Sequence, residues 1–301
     1  MENARELSIM EIERFAIHDG PGIRSTVFLQ GCPLHCPWCA NPESQTIGPK
    51  LMYNEKKCVH CGKCVENCPA GAIKIKNGSL EFDRTQCMKC RSCEKICLQN
   101  AIQWNGKKLS IDEIIAEVLR DRDYYEESGG GVTISGGECF VQFEGLMELL
   151  KGLKKEQLHV AVETCGQTSL EHIKEAYPYI DLFLFDLKHM DADIFSRVTG
   201  GNLEVILNNI SYIAKQNPEK IIIRVPVIPD FNYDGKVMEK IFRYVKENGL
   251  KKVHLLPYHT FGINKYAQLG RSYEMKNTSS LHEDELNIYR EKGEEMGIVI
   301  L

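Results

Sequence analysis

Eleven cysteines before residue 98 carry the chemistry written most plainly in this chain. They fall in three runs. Cys32, Cys36 and Cys39 form C-x3-C-x2-C. Cys58, Cys61, Cys64 and Cys68 form C-x2-C-x2-C-x3-C, followed by Pro69. Cys87, Cys90, Cys93 and Cys97 repeat those gaps 29 residues later, with Leu98 in the proline's place. Core thiols scatter along a chain, so thiols at fixed short gaps read as metal ligands. Three thiolates on one loop can hold three irons of a 4Fe-4S cube and leave the fourth iron open to substrate. Four-cysteine cubes that only carry electrons have no such opening. The alternatives are tetrahedral zinc, completed at the first run by His35 or a distant residue, and a zinc ribbon at the other two.

Other polar residues must be placed by secondary structure. From about residue 101, short apolar runs alternate with amphipathic stretches. The strand candidates are Val132 to Ser135, Leu158 to Glu163, Asp181 to Leu187, Ile221 to Val227 and Val253 to Pro257, with Thr26 to Gln30 as the first. Ser110 and Glu113 make a capping box. Further helices are predicted near 143–153, 169–176, 203–216 and 236–248. This alternation implies βαβ units and parallel strands. A doubly wound sheet and a barrel both fit the pattern. Either places functional groups at the C-terminal strand ends. The first cysteine loop, Gly136, Gly137 and Glu138, Glu163, Asp186 and Lys188, Arg224 and His259 would then share one rim.

The run Gly31-Cys32-Pro33-Leu34-His35-Cys36-Pro37-Trp38-Cys39 resembles the cluster loop of radical S-adenosylmethionine enzymes. With His18-Asp19-Gly20-Pro21-Gly22-Ile23-Arg24 before it and Asn41-Pro42-Glu43 after it, the chain resembles the activating enzymes of glycyl radical enzymes. Ser135-Gly136-Gly137-Glu138, Asp186-Leu187-Lys188 and Leu256-Pro257-Tyr258-His259 extend the likeness over nearly the whole chain outside residues 51–100. The resemblance implies a partial (β/α)6 TIM-like barrel made of 1–50 and 101–301. It implies that the open iron chelates S-adenosylmethionine. The backbone around Gly137 would meet the methionine amino group, Lys188 and Asp186 its carboxylate, and His259 and the Trp38–Cys39–Ala40 backbone the nucleoside. Glu138, Glu163 and Arg224 are counted with that site. Asp19 and Arg24 would lie near the partner's glycine loop. In one type of activator an aspartate matching Glu163 holds a monovalent cation; here Asp186 and Thr164 would have to contribute its oxygens. Cys139 and Cys165 are read as packed thiols, and Arg197 to Gly201 as a helix stop.

Residues 51–100 resemble a two-cluster bacterial ferredoxin, inserted in the barrel. There the fourth cysteine of each run ligates the other cluster. Carried over, one cube takes Cys58, Cys61, Cys64 and Cys97, and the other Cys87, Cys90, Cys93 and Cys68, giving three 4Fe-4S clusters in all. The insert holds nine Lys or Arg against five Asp or Glu, which offsets the negative charge of loaded cubes. It would deliver electrons or dock the protein substrate. Inserts of this kind resemble activators of glycerol, choline, isethionate or hydroxyproline enzymes, and hydroxyproline dehydratase is the favoured partner.

The chain has 301 residues, 43% hydrophobic and 26% charged, which excludes wholesale disorder. A net charge of -5 gives no support to nucleic-acid binding. No apolar run is long enough for a membrane span, and the N-terminus shows no secretory signal, so a cytoplasmic, anaerobic monomer is expected. Its expected partners are a glycyl radical enzyme and an electron donor such as flavodoxin or ferredoxin. Two other functions compete: a radical enzyme acting on a small molecule, and an electron carrier without catalysis. The three-cysteine run argues against the carrier.

Overall fold

The structure is a computed structural model and describes residues 5–301. The strands are β1 (Glu6–Ala16), β2 (Arg24–Leu29), β3 (Lys50–Tyr53), β4 (Ile73–Lys76), β5 (Ser79–Phe82), β6 (Ile102–Asn105) and β7 (Lys107–Ser110). They continue with β8 (Gly131–Gly136), β9 (Val160–Thr164), β10 (Leu182–Asp186), β11 (Ile221–Val227), β12 (Lys252–Pro257) and β13 (Val299–Ile300). Nine of them form one sheet in the order β13-β12-β11-β10-β9-β8-β2-β1-β7. From β2 to β13 every pairing is parallel. Neighbours in space follow chain order, without the reversal that defines a doubly wound sheet.

All six expected strands form, and helices occupy Ile111–Val118, Phe143–Lys155, Leu170–Ala176, Leu203–Gln216 and Gly235–Glu247. The Ser110–Glu113 capping box is present in both directions. Three strands of this nine-stranded sheet escaped the pattern. β1 runs antiparallel to β2 through two register shifts, and its outer half is charged, so no clean alternation marks it. β7 and β13 are short edge strands.

Strand alternation explains how the site is populated. On β8, β9, β10 and β11, Val132, Ile134, Val160, Val162, Phe183, Phe185, Ile221, Ile223 and Val225 face the helices and join the main core. Their neighbours in sequence must face the other way. There Ala161, Leu182 and Leu184 pack with Ile222 in a separate small cluster. The same face, two residues further along, carries Glu163, Asp186 and Arg224, with Ser135 and Phe28 on the adjacent strands.

Residues 50–105 carry two short antiparallel pairs, β3 with β6 and β4 with β5, and two one-turn helices, Lys63–Glu66 and Ser92–Ile96. Leu51, Cys64, Ile73, Leu80, Cys93, Ile102 and Trp104 form a hydrophobic cluster of their own. The 29-residue repeat extends to the backbone. Left-handed φ values recur at His60 and Lys89, at Gly62 and Arg91, and at Gly71 and Asn100.

Candidate functional site

The cysteine loop leaves the end of β2 and is pinned by its own backbone. Gly31 donates to the Ser44 carbonyl at 2.6 Å, Cys32 to Gln45 at 3.2 Å and His35 to Thr199 at 2.8 Å. Thr199 closes the helix Ala192–Thr199, and Gly200 in left-handed conformation stops it. The segment Arg197 to Gly201 is therefore a helix stop that also braces the loop. Lys265 holds the far side, pairing with Glu43 at 2.7 Å and donating to Asn41 at 2.8 Å.

Gly136 and Gly137 pack directly beneath this loop. Gly137 donates to the Leu29 carbonyl at 2.9 Å, and Glu138 to the Gly31 carbonyl at 2.7 Å. A Cβ on Gly137 would overlap the Gly31 carbonyl oxygen, and one on Gly136 would overlap that of Leu29. Backbone touching backbone is the reason for glycine here.

Cys32, Cys36 and Cys39 line a cavity of about 600 Å³. Its walls also hold Trp38, Ala40, Gly136, Gly137, Glu163, Asp186, Lys188, Arg224 and His259. The residues expected at one rim, Glu138 excepted, thus meet the three cysteines in one space. Arg224 donates to Asp186 at 3.0 Å and pairs with Glu163. Lys188 donates to the other Asp186 oxygen at 2.7 Å, and Ser135 donates to Glu163. Burial alone pushes the Asp186 carboxyl up, but Lys188 and Arg224 together hold it below its ordinary value. Burial wins at Glu163, whose carboxyl stays raised despite Arg224. Asn232, fully buried, donates to the carbonyls of Lys188 at 2.8 Å and Pro226 at 2.7 Å and so fixes the lysine's backbone.

Burial pushes the Cys36 thiol up to about 12 and the Cys39 thiol to about 11. Thiolates in such a place need cationic partners, which coordinated iron supplies. The donor set therefore fits a cluster. Zinc completed by His35 does not fit, since His35 is exposed and lies outside the cavity wall.

Several residues are placed differently from expectation. Glu138 does not reach the cavity. It is fully buried and accepts from Thr164 Oγ1 at 2.8 Å and the Cys165 amide at 2.8 Å, tying the β8 loop to the end of β9. Arg24 is not a surface group. It is 0% exposed and donates to Thr133 Oγ1 at 2.6 Å, the Val132 carbonyl at 2.8 Å and the Pro21 carbonyl at 3.0 Å. Arg24 opens β2, and pairing of β2 with β8 turns its side chain inward, which the motif alone did not reveal. Asp19 is half-buried and accepts from Thr26 Oγ1 at 2.6 Å. The oxygens offered for a cation are engaged: Thr164 bonds Glu138, while Glu163 and Asp186 face Arg224 and Lys188. Two fixed side-chain cations supply the charge, so these residues do not fit a monovalent cation. Cys139 is a packed thiol, fully buried. Cys165 is buried too, yet it reaches the cavity wall, donating to Glu138 at 2.9 Å.

Sequence reasoning quoted Ser135 within a motif but gave it no role beside Glu163, and it did not find Asn232, whose buried amide no motif marks. Phe261, which stacks on His259 with centroids 4.4 Å apart, was also missed.

In the insert, a cavity of about 290 Å³ is lined by Cys68, Cys87, Cys90 and Cys93, and one of about 140 Å³ by Cys58, Cys61, Cys64 and Cys97. Each gathers three thiols of one run and the last of the other. The amides of Ala72 and Ala101 donate to Cys68 and Cys97 sulfurs, both at 3.3 Å.

Residues 26–241 match the model of the radical SAM superfamily. The chain is 42% identical to the (2S)-3-sulfopropanediol sulfolyase activating enzyme of Bilophila wadsworthia, over 89% of this chain and 90% of that one. It is 38% identical to the choline trimethylamine-lyase activating enzyme of Oleidesulfovibrio alaskensis, over 94% and 93%. It is 40% identical to the trans-4-hydroxy-L-proline dehydratase activating enzyme of Clostridioides difficile, over 92% and 93%. The chain belongs to the radical SAM superfamily and, within it, to the activating enzymes of glycyl radical enzymes.

Proposed function

We propose that this activase serves a glycyl radical enzyme of the dehydratase or lyase class. The partial (β/α)6 barrel of 1–50 and 101–301 makes the radical, and the ferredoxin-like insert of 51–100 holds two further 4Fe-4S clusters. The three relatives above stand within a few points of identity of one another, so their names support the class and not one partner.

Cys32, Cys36 and Cys39 would hold a 4Fe-4S cluster that, when reduced, would supply the one electron for reductive cleavage of S-adenosylmethionine, so that a hydrogen atom can be taken from a partner glycine Cα. The protein's own work is to bind, orient and exclude water. Lys188 presents an ammonium to the methionine carboxylate. Asp186 and Arg224 fix that ammonium, and Asn232 fixes its backbone. The Gly136–Gly137 backbone borders the amino-group position. His259 and Phe261 offer a stacked pair beside Trp38 to Ala40 for the nucleoside.

The observation that carries this reading is one cavity lined both by the three thiols and by the Glu163–Arg224–Asp186–Lys188 chain. The test mixes the anaerobically reconstituted protein with reductant, S-adenosylmethionine and candidate partners. A glycine-centred doublet in the electron paramagnetic resonance spectrum is expected in one of them. Deoxyadenosine accumulating with no doublet in any partner would favour a small-molecule substrate.

A further inference from the structure

Trp104 lines the larger insert cavity together with Cys68, Cys87, Cys90 and Cys93. It is 9% exposed, and its indole Nε1 is buried without a hydrogen-bond partner. Buried donors are almost always matched, because an unmatched one loses its water and gains nothing in exchange. The residue is held where it is. Its amide donates to Glu94 at 2.8 Å, and its carbonyl accepts from Arg91 at 3.2 Å. Arg91 opens the helix that carries Cys93 and is itself paired with Glu94 at 2.9 Å. Across the β3–β6 pairing Trp104 faces Leu51. The indole is thus fastened to the cysteine run whose cavity it lines, with one N–H unused. The smaller cavity has no such group. The 29-residue repeat puts Ile75 at the matching position, exposed on β4, and no tryptophan lines the space among Cys58, Cys61, Cys64 and Cys97. Tyr53 also has a buried hydroxyl without a partner, but it lines neither cavity.

The sulfurs of a loaded iron–sulfur cube carry negative charge and accept hydrogen bonds. Reduction makes the cube more negative by one charge. A donor aimed at its sulfur therefore stabilises the reduced state more than the oxidised one and raises the potential. A buried site of low dielectric strengthens the effect. We propose that Trp104 Nε1–H donates to a sulfur of the cluster held by Cys68, Cys87, Cys90 and Cys93, and makes that cluster easier to reduce. Reduction adds one electron, taken from a reductant in solution, and the proton stays on the indole nitrogen. Equal thiol sets then give two insert clusters in different electrostatic settings, one with a side-chain donor from Trp104 and one without it. This inference rests on the two-cluster reading of the insert.

The test is an anaerobic potentiometric titration of the loaded protein with titanium(III) citrate, followed by electron paramagnetic resonance, with neither S-adenosylmethionine nor partner enzyme present. Trp104→Phe removes the N–H together with part of the ring. Trp104→benzothienylalanine keeps the ring shape and puts sulfur where the indole has N–H, so it separates the hydrogen bond from the packing. Both are expected to make one cluster about tenfold harder to reduce, a fall of about 59 mV for one electron, and to leave the other two in place. The component that moves should be the one that Cys90→Ser alters and Cys61→Ser does not. Tyr53→Phe should leave that component where it is. If Trp104→Phe loses iron, the benzothienylalanine variant alone decides. An unmoved potential in that variant, an equal fall in all clusters, or a shift confined to the component that Cys61→Ser alters would overturn the inference. About twelve irons per parent chain with no shift would overturn this inference alone. About four irons per parent chain would overturn the two-cluster reading beneath it, and this inference with it.

Discussion

Arg224 lies directly opposite Asp186 in the β10–β11 pairing, and its Nε donates to the Asp186 carboxylate at 3.0 Å. The same guanidinium reaches across to Glu163 on β9. One cation therefore holds two buried carboxylates apart from each other and leaves Lys188 facing the cavity. Removing one member of a buried ionic set strands the others without compensation. Arg224→Met is expected to lower stability by about 3 kcal/mol and to weaken S-adenosylmethionine binding at least tenfold. Denaturant unfolding of the apoprotein and calorimetric titration of the loaded protein check the two effects separately.

Since Arg224 and Lys188 already neutralise Glu163 and Asp186, exchanging sodium, potassium and tetramethylammonium should change S-adenosylmethionine affinity less than about twofold, well under 1 kcal/mol. A tenfold preference for one small cation would show that the carboxylates open on binding.

Asn232 holds the Lys188 carbonyl from outside the cavity wall. Asn232→Ala leaves two buried carbonyls and the Ile228 amide without their partner, at about 1–3 kcal/mol. The KM for S-adenosylmethionine should rise while the deoxyadenosine rate at saturation falls little. A variant with lowered saturating rate and unchanged KM would place Asn232 outside the binding step.

Gly137→Ala drives a methyl into the Gly31 carbonyl at the root of the cysteine loop. Loss of the first cluster is expected, about four irons per chain, with the insert clusters retained. Iron analysis with Mössbauer spectroscopy reads this directly.

The insert cavities predict crossed ligation. Cys97→Ser combined with Cys58→Ser should lose no more iron than Cys97→Ser alone, about four per chain, because both serve one cavity. Cys97→Ser combined with Cys87→Ser should lose about eight. Equal losses in the two pairs would contradict the crossing.

Local sequence determined what its physics is local to. Cysteine gaps, a capping box and 2.0- or 3.6-residue periodicity are set within a dozen residues, so the ligand runs, six strands and the main helices were legible in the amino-acid order alone. The rim residues Glu163, Asp186, Lys188 and Arg224 were legible as well, because parallel strands fix which end carries function. Tertiary structure alone decided the rest. Whether the strand order reverses depends on long-range pairing. Glu138 sits in a motif that suggests cofactor contact and Arg24 in one that suggests partner contact, yet each is buried and bonded to neighbouring strands distant in sequence. Side-chain direction on a strand flips with every residue, and what fills the space it points into comes from residues elsewhere in the chain. The same holds for the insert cavities: equal cysteine runs acquire different surroundings only in the fold, which brings Thr46 and Ile47 from outside the insert to the lining of one of them.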